Sequence, residues 1–294
     1  MVGVFSVMQP VDDAVLAFFQ GVQHPFLDAF FSAVTHLGNP LFWVLVVAGI
    51  YWEGREDDGF FLMNAILFSS AVTGFAKDAI ARLRPDVSPR DVFMGSAYTD
   101  YAFPSGHASL IGAMTGFLWR SVKRFYRAVL VVAVLLVALS RLYLGYHFFS
   151  DVAAGLLLGY AIGVVNYHLK KTWKTRKFRL SRLGDEVALV IVIVIALAAL
   201  AFLNQLPLIA GMLGFYAGFF ASKELRMEPF ALKRHHLRVK WFLGFAGLFV
   251  LLVVPMAVPG LSGLETFLVY FVGGLWISFV YPWIYDNLVH HLLL

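Results

Sequence analysis

Two histidines, three cations, a serine and a carboxylate stand in this sequence at spacings that suit chemistry on an oxyanion. Lys77 precedes Arg84 by seven residues, about two helical turns, so the two share a helix face. Pro85 disfavours helix at Arg84 and predicts a helix end there, with both cations projecting from it. Alone, such a pair reads as cations snorkelling to a membrane interface. Further on, Pro104-Ser105-Gly106-His107 precedes an apolar run that begins at Ala108. Ser105 reads first as a helix N-cap. Gly106 allows close backbone approach, and free N–H groups at a positive helix end also suit an anion, which would lie beside His107. The third group is Ser140-Arg141, His147 and Asp151. His147 and Asp151 are four apart, so the carboxylate can reach the imidazole and fix its tautomer. A ring nitrogen kept unprotonated in this way can attack phosphorus. An isolated His/Asp pair, or a lone histidine, would read as an ordinary structural hydrogen bond; here it is the company that points to chemistry.

The elements that must position these groups are apolar. Of the 294 residues 60% are hydrophobic and 14% charged, against about 45–50% and about 25% in an ordinary soluble domain. Several runs approach the roughly 20 apolar residues that cross a bilayer, Val187 to Leu203 most plainly. Spans are expected at 41–52, 59–80, 105–121, 127–143, 149–168, 187–203, 206–222, 241–258 and 265–284. Asp12, Asp13, His24, Pro25 and Asp28 interrupt the first forty residues, which either add a tenth span or lie on the surface. No basic region precedes the first apolar stretch, since the first Lys or Arg is Arg55, and no cleavable signal is expected. The absence of Cys excludes disulfides and thiolate metal sites.

The net charge of +5 does not mark a nucleic-acid binder, because the basic residues lie in short segments between apolar runs. Lys77, Arg82, Arg84, Arg90 and Arg141 fall on one face of the predicted topology, and the other 18 of the 23 basic residues fall on the opposite face. The positive-inside rule makes the richer face cytoplasmic and puts the chemistry-bearing groups outside. Glu53, Glu56, Asp57 and Asp58 dissent weakly, since acidic residues count little in that rule. Lys170–Glu186 is the most polar stretch and divides the chain into residues 1–169, a basic linker 170–186 and a four-helix unit 187–294. Gly155, Gly159 and Gly163 share one helix face, and Gly214 and Gly218 form a GxxxG spacing. Both read first as packing within one bundle, and both also permit a homo-oligomer seam.

Together the three groups resemble the type-2 phosphatidic acid phosphatase (PAP2) superfamily, which also includes the vanadium haloperoxidases. The resemblance covers roughly residues 25–168, with no signature residue missing. It implies an all-α, polytopic membrane bundle: a core of 5–6 transmembrane helices, to which this chain adds about four C-terminal ones. It also implies roles. Lys77, Arg84 and Arg141 hold the phosphate oxygens, helped by Ser105 and the Gly106 N–H. His147 attacks, Asp151 orients it, and His107 protonates the leaving oxygen. No metal or other cofactor is implied; Asp86, Asp91 and Asp100 are weak metal-ligand candidates, and Arg82, Arg90 and Tyr98 read by default as solvated loop residues. The expected substrate is a lipid monophosphate or diphosphate in the bilayer: phosphatidate-like, phosphatidylglycerol phosphate or polyprenyl diphosphate. The alternatives are a phosphotransferase using the same phosphohistidine, or a transporter or scaffold that only binds. A haloperoxidase is disfavoured because those relatives are soluble. His235 and His236 lie in a basic cytoplasmic loop and receive no site, and the C-terminal helices carry no catalytic motif.

Overall fold

The computed structural model describes residues 2–86, 101–175, 190, 193–195, 197–198, 206–225, 237–257, 260–285 and 287. Among these the architecture is helical, and the only extended pairing is an isolated antiparallel bridge between Leu83 and Tyr101. The helices are α1 (Val2–Gly21), α2 (Pro25–Val34), α3 (Pro40–Trp52), α4 (Glu56–Ile80), α5 (Gly106–Leu118), α6 (Arg124–Tyr143) and α7 (Phe149–Thr175). Then come α8 (Leu206–Glu224), α9 (Leu237–Ala257) and α10 (Gly263–Leu275), the last running through a π-helical turn, Trp276–Val280, into α11 (Tyr281–Ile284). Five described helices are long and apolar enough to cross a membrane, or six if α2 with its 3-10 turn and α3, bent by 53°, form one span. The chain is a multi-pass membrane protein. α5 is shorter than its predicted span, because its 13 residues rise only about 20 Å against a core of about 30 Å. Most of the predicted span 187–203 lies outside the described residues.

The helix ends obey local chemistry. Glu56, Asp57 and Asp58 sit in the first turn of α4, where carboxylates meet the positive end of the helix dipole. The acidic loop that dissented in the charge count is therefore largely a helix start. Pro25 occupies the first turn of α2, and His24 Nδ1 accepts from Phe26 N at 3.2 Å. α4 ends at Ala81, whose φ of 52° is the left-handed conformation that turns the chain away.

Two compact units emerge: residues 1–43 with 65–185, and residues 44–64 with 186–294. Residues 44–64, which the division read from the sequence placed in the front part, fall in the second of these units. The hydrogen bonds inside the second unit give the reason. Trp52 donates its indole N–H to Ile277 O at 2.9 Å, Tyr51 its hydroxyl to Ser278 O at 3.1 Å, and Tyr216 its hydroxyl to Asn64 Oδ1 at 2.6 Å. Each ties residues of 44–64 to the C-terminal helices, two of them at the carbonyls of the π-helical turn.

Inside the first unit, α5 and α7 pack through glycine. A methyl carbon added at Gly159 would lie 1.8 Å from Ser109 O, at Gly163 2.1 Å from Ala113 O, and at Gly155 2.5 Å from Ser105 O. In the second unit one added at Gly214 would lie 1.9 Å from Phe271 O, and one at Gly218 2.2 Å from Ser278 Oγ. Both small-residue faces are thus filled by a helix of the same chain. This is the packing within one bundle that the small-residue spacings suggested first.

Candidate active site

The site forms in the first unit, where the end of α4, the start of α5, the end of α6 and the start of α7 meet. α4 delivers Lys77 in its last turn, and the ammonium donates to the Tyr101 carbonyl. Beyond Ala81 the chain runs extended, and Arg84 donates to Tyr146 O at 2.9 Å. Arg141 comes from the last turn of α6, donates to Thr35 Oγ1 at 2.8 Å, and lies 4.4 Å from the Tyr146 ring centroid. The α6–α7 connection turns at Gly145, whose φ of 70° suits a residue without a side chain, and so presents His147. The charges of Arg141, Arg84 and Lys77 all act on the His147 ring, which is how closely the three motifs converge. Burial drives its pKa well below the ordinary histidine value, and those three cations push in the same direction. Both influences favour the uncharged form of the His147 imidazole.

His107 lies in the first turn of α5, buried, and the charges of Arg141, His36, Arg84 and Lys77 reach it. The 3-10 turn Thr35–Gly38 packs over it, with space for no more than hydrogen at Gly38: an added carbon would lie 2.8 Å from His107 Cβ. Ser105 stands at the N-cap position but does not cap. Its hydroxyl is fully buried and without a hydrogen-bond partner, as are Thr73 Oγ1 on α4 and His147 Nδ1. A buried polar atom left unpaired costs about 1–3 kcal/mol. The two hydroxyls stand on α4 and at the start of α5, the elements that also carry Lys77 and His107.

Asp151 is buried in the first turn of α7, with Oδ2 3.8 Å from His147 Nδ1. That is too long for the hydrogen bond the spacing predicted. The carboxylate is held from behind: Oδ2 accepts from Phe148 N at 2.8 Å and Oδ1 from Arg82 at 2.6 Å. Catalytic hydrogen bonds are often long in ligand-free structures and tighten when substrate binds.

Known proteins share this outline. The PAP2 superfamily model matches residues 58–175, and a second model, the PAP2 superfamily phosphatase transmembrane extension, matches residues 206–290. Phosphatidylglycerophosphatase B of Bacillus subtilis is 28% identical over 191 residues, covering 59% of this chain and 89% of its own. A lipid A 4'-phosphatase of Porphyromonas gingivalis is 28% identical over 172 residues, 52% of this chain and 72% of its own. An undecaprenyl-diphosphatase of Sulfolobus acidocaldarius is 32% identical over 145 residues, 48% of this chain and 69% of its own. This chain belongs to the PAP2 superfamily.

The PAP2 motifs named seven side chains, and the fold gathers them all in the first unit: Lys77, Arg84, Ser105, His107, Arg141, His147 and Asp151, with Gly106 beside Ser105. The sequence missed others. Arg82, expected in a solvated loop, has a side chain only 8% exposed and bridges Asp12 and Asp151. Asp12 itself, fully buried in α1, gave no signal beyond being acidic in an apolar stretch. Asp86 is exposed, while Arg90, Asp91, Tyr98, Asp100, His235 and His236 lie outside the described residues. The C-terminal helices, which carried no motif, fall within the match to the PAP2 transmembrane extension.

Proposed function

We propose that this PAP2 protein is a membrane lipid phosphatase that works through a phosphohistidine at His147, needs no metal, and opens its site to the extracytoplasmic face. The observation that carries the chemistry is the convergence of Lys77, Arg84 and Arg141 on a neutral, buried His147 beside the unpartnered Ser105 hydroxyl. Three fixed cations supply the charge that a phosphoryl group needs as it passes through its five-coordinate state. The His147 Nε2 lone pair forms the N–P bond as the P–O bond to the lipid breaks, and the departing oxygen takes a proton from a His107 held in its imidazolium form by the negative charge of the bound phosphate. Water then attacks phosphorus, gives its proton to His107, and the N–P bond breaks to release inorganic phosphate. Asp151 steadies the ring while it carries positive charge. The positive-inside distribution of Lys and Arg supports the outward site. The named activities of the relatives support a lipid substrate, which would enter with its tails still in the bilayer.

The test is phosphate release by purified protein from phosphatidate, phosphatidylglycerol phosphate and a polyprenyl diphosphate, with and without chelator. Release that survives chelation and disappears in a folded His147→Ala variant is the expected result. Near-normal release by that variant would overturn the mechanism. Loss of phosphate from the lipid without inorganic phosphate would mean transfer to another acceptor.

A further inference from the structure

We propose that Asp12, in the first helix, is a positioning residue for this reaction: through Arg82 it fixes where the Asp151 carboxylate stands behind His147. The proposal rests on the phosphatase reading above. It concerns a residue outside segment 58–175, which the PAP2 model matches.

The juxtaposition is built from buried, fully specified contacts. Asp12 Oδ2 accepts from Arg82 at 2.8 Å and from the Ser150 hydroxyl at 2.6 Å, while Oδ1 accepts from Ser150 N at 2.8 Å. Arg82 spends its other terminal nitrogen on Asp151 Oδ1 at 2.6 Å and on Ser150 Oγ at 2.7 Å. The guanidinium carbon lies 4.4 Å from the Phe5 ring centroid and 4.2 Å from that of Phe148. α1 therefore supplies one carboxylate and one aromatic wall to a planar cation whose remaining contacts come from the start of α7. Val15 and Phe19 of α1 pack on Ala108, Leu142 and Val152, so the helix carrying Asp12 is seated on the elements that carry the catalytic residues.

The chemistry arises from how one guanidinium divides itself between two carboxylates. With Asp12 charged, Arg82 is pulled from both sides and Asp151 keeps negative charge to offer the His147 ring, 3.8 Å away. With Asp12 neutral, Arg82 pairs with Asp151 alone, draws it away from Nδ1, and neutralises it more completely. Ser150, pinned at both its N–H and its hydroxyl, loses the acceptor that sets the first turn of α7. A displacement of about 1 Å in a group that steadies the nucleophile is enough to cost on the order of a hundredfold in rate.

The experiment compares wild type, Asp12→Asn and Arg82→Lys as full-length protein in nanodiscs. One readout is phosphate release from whichever lipid the wild type cleaves. The other is calorimetric binding of orthovanadate, a mimic of the five-coordinate phosphoryl group. Asp12→Asn is expected to lower kcat about 30- to 100-fold with KM changed less than about threefold. It should weaken orthovanadate about tenfold at an unchanged number of sites. Arg82→Lys keeps the charge but not the two-ended fork, and is expected to move both readouts the same way. A purely anchoring role for Asp12 would lower the number of functional sites while those remaining keep wild-type kcat and affinity, and that result would overturn the proposal. Should Asp12→Asn fail to accumulate, Arg82→Lys decides by the same two readouts. A wild type that neither releases phosphate nor binds orthovanadate sinks the phosphatase reading and this proposal with it. An active wild type with an unaffected Asp12→Asn sinks this proposal alone.

Discussion

Arg82 and Arg84 are two residues apart and lead different lives. Arg82 lies between two buried carboxylates and two aromatic rings. Arg84 donates to a neutral carbonyl, and its charge, like that of Arg141, acts on His147. Extended backbone alternates the direction of successive side chains, yet here residues of equal parity part company, because the tertiary partners of each decide its fate. A guanidinium matched by carboxylates holds structure in place.

The largest effects expected from this contrast are losses of two different kinds. In the proposed mechanism Arg141→Ala and Arg84→Ala each remove one donor to the developing charge, and each should cut kcat/KM by about 10²–10³ while the protein stays folded. Arg82→Ala strips the counter-ion from two buried carboxylates, and breaking such a buried cluster costs about 3–5 kcal/mol, so loss of folded protein should dominate. Thermal unfolding in detergent beside a phosphate-release assay separates them. If Arg82→Ala unfolds at the wild-type temperature, or Arg84→Ala fails to fold, the division between the two arginines is wrong.

A second, smaller effect concerns pH. Burial, Arg141, Arg84 and Lys77 lower the pKa of His147, so its uncharged form persists as pH falls, and if it is the nucleophile as proposed the acid limb of kcat/KM should lie well below pH 6.5. Removing a neighbouring positive charge makes protonation easier. Arg84→Gln should therefore shift that limb toward neutral pH. Arg82 is not among the charges that set His147, and Arg82→Lys should leave the limb where it is. A limb that moved with Arg82 and not with Arg84 would reverse their assignments.

What the sequence revealed and what it hid differ for the same physical reason. Lys77, His107, Arg141 and Asp151 sit in the first or last turn of a helix, and Arg84 and His147 follow within a few residues of one, so short spacings were enough to find them. The apolar runs likewise betray membrane helices by length alone. The Asp12–Ser150 contact spans 138 residues of chain, and no periodicity or capping pattern encodes it. Ser105 stands at the N-cap position that local rules gave it, yet its hydroxyl makes no capping bond. The assignment of residues 44–64 depended on two aromatic donors reaching the carbonyls of Ile277 and Ser278. Gly155, Gly159 and Gly163 announced a close approach, but only the fold could name α5 as the helix that approaches.

The smallest expected effect lies at the hinge between α4 and the divergent arginines. Ala81 holds a φ of 52°, a conformation that costs a residue with a Cβ about 1 kcal/mol or more and glycine almost nothing. It persists because residues 82–84 are anchored: Ala102 N donates to Arg82 O at 2.7 Å, the Arg82 side chain is fixed by Asp12 and Asp151, and Arg84 holds Tyr146 O. Ala81→Gly relieves the strain but adds freedom to the unfolded chain, so the net gain should be positive yet below about 1 kcal/mol. A rise of a few degrees in the unfolding midpoint, with kcat/KM within about twofold of wild type, is the expected outcome. A fall in the midpoint would mean the turn carries no strain. The parting of Arg82 from Arg84 would then be set wholly by their partners and not by the backbone that delivers them.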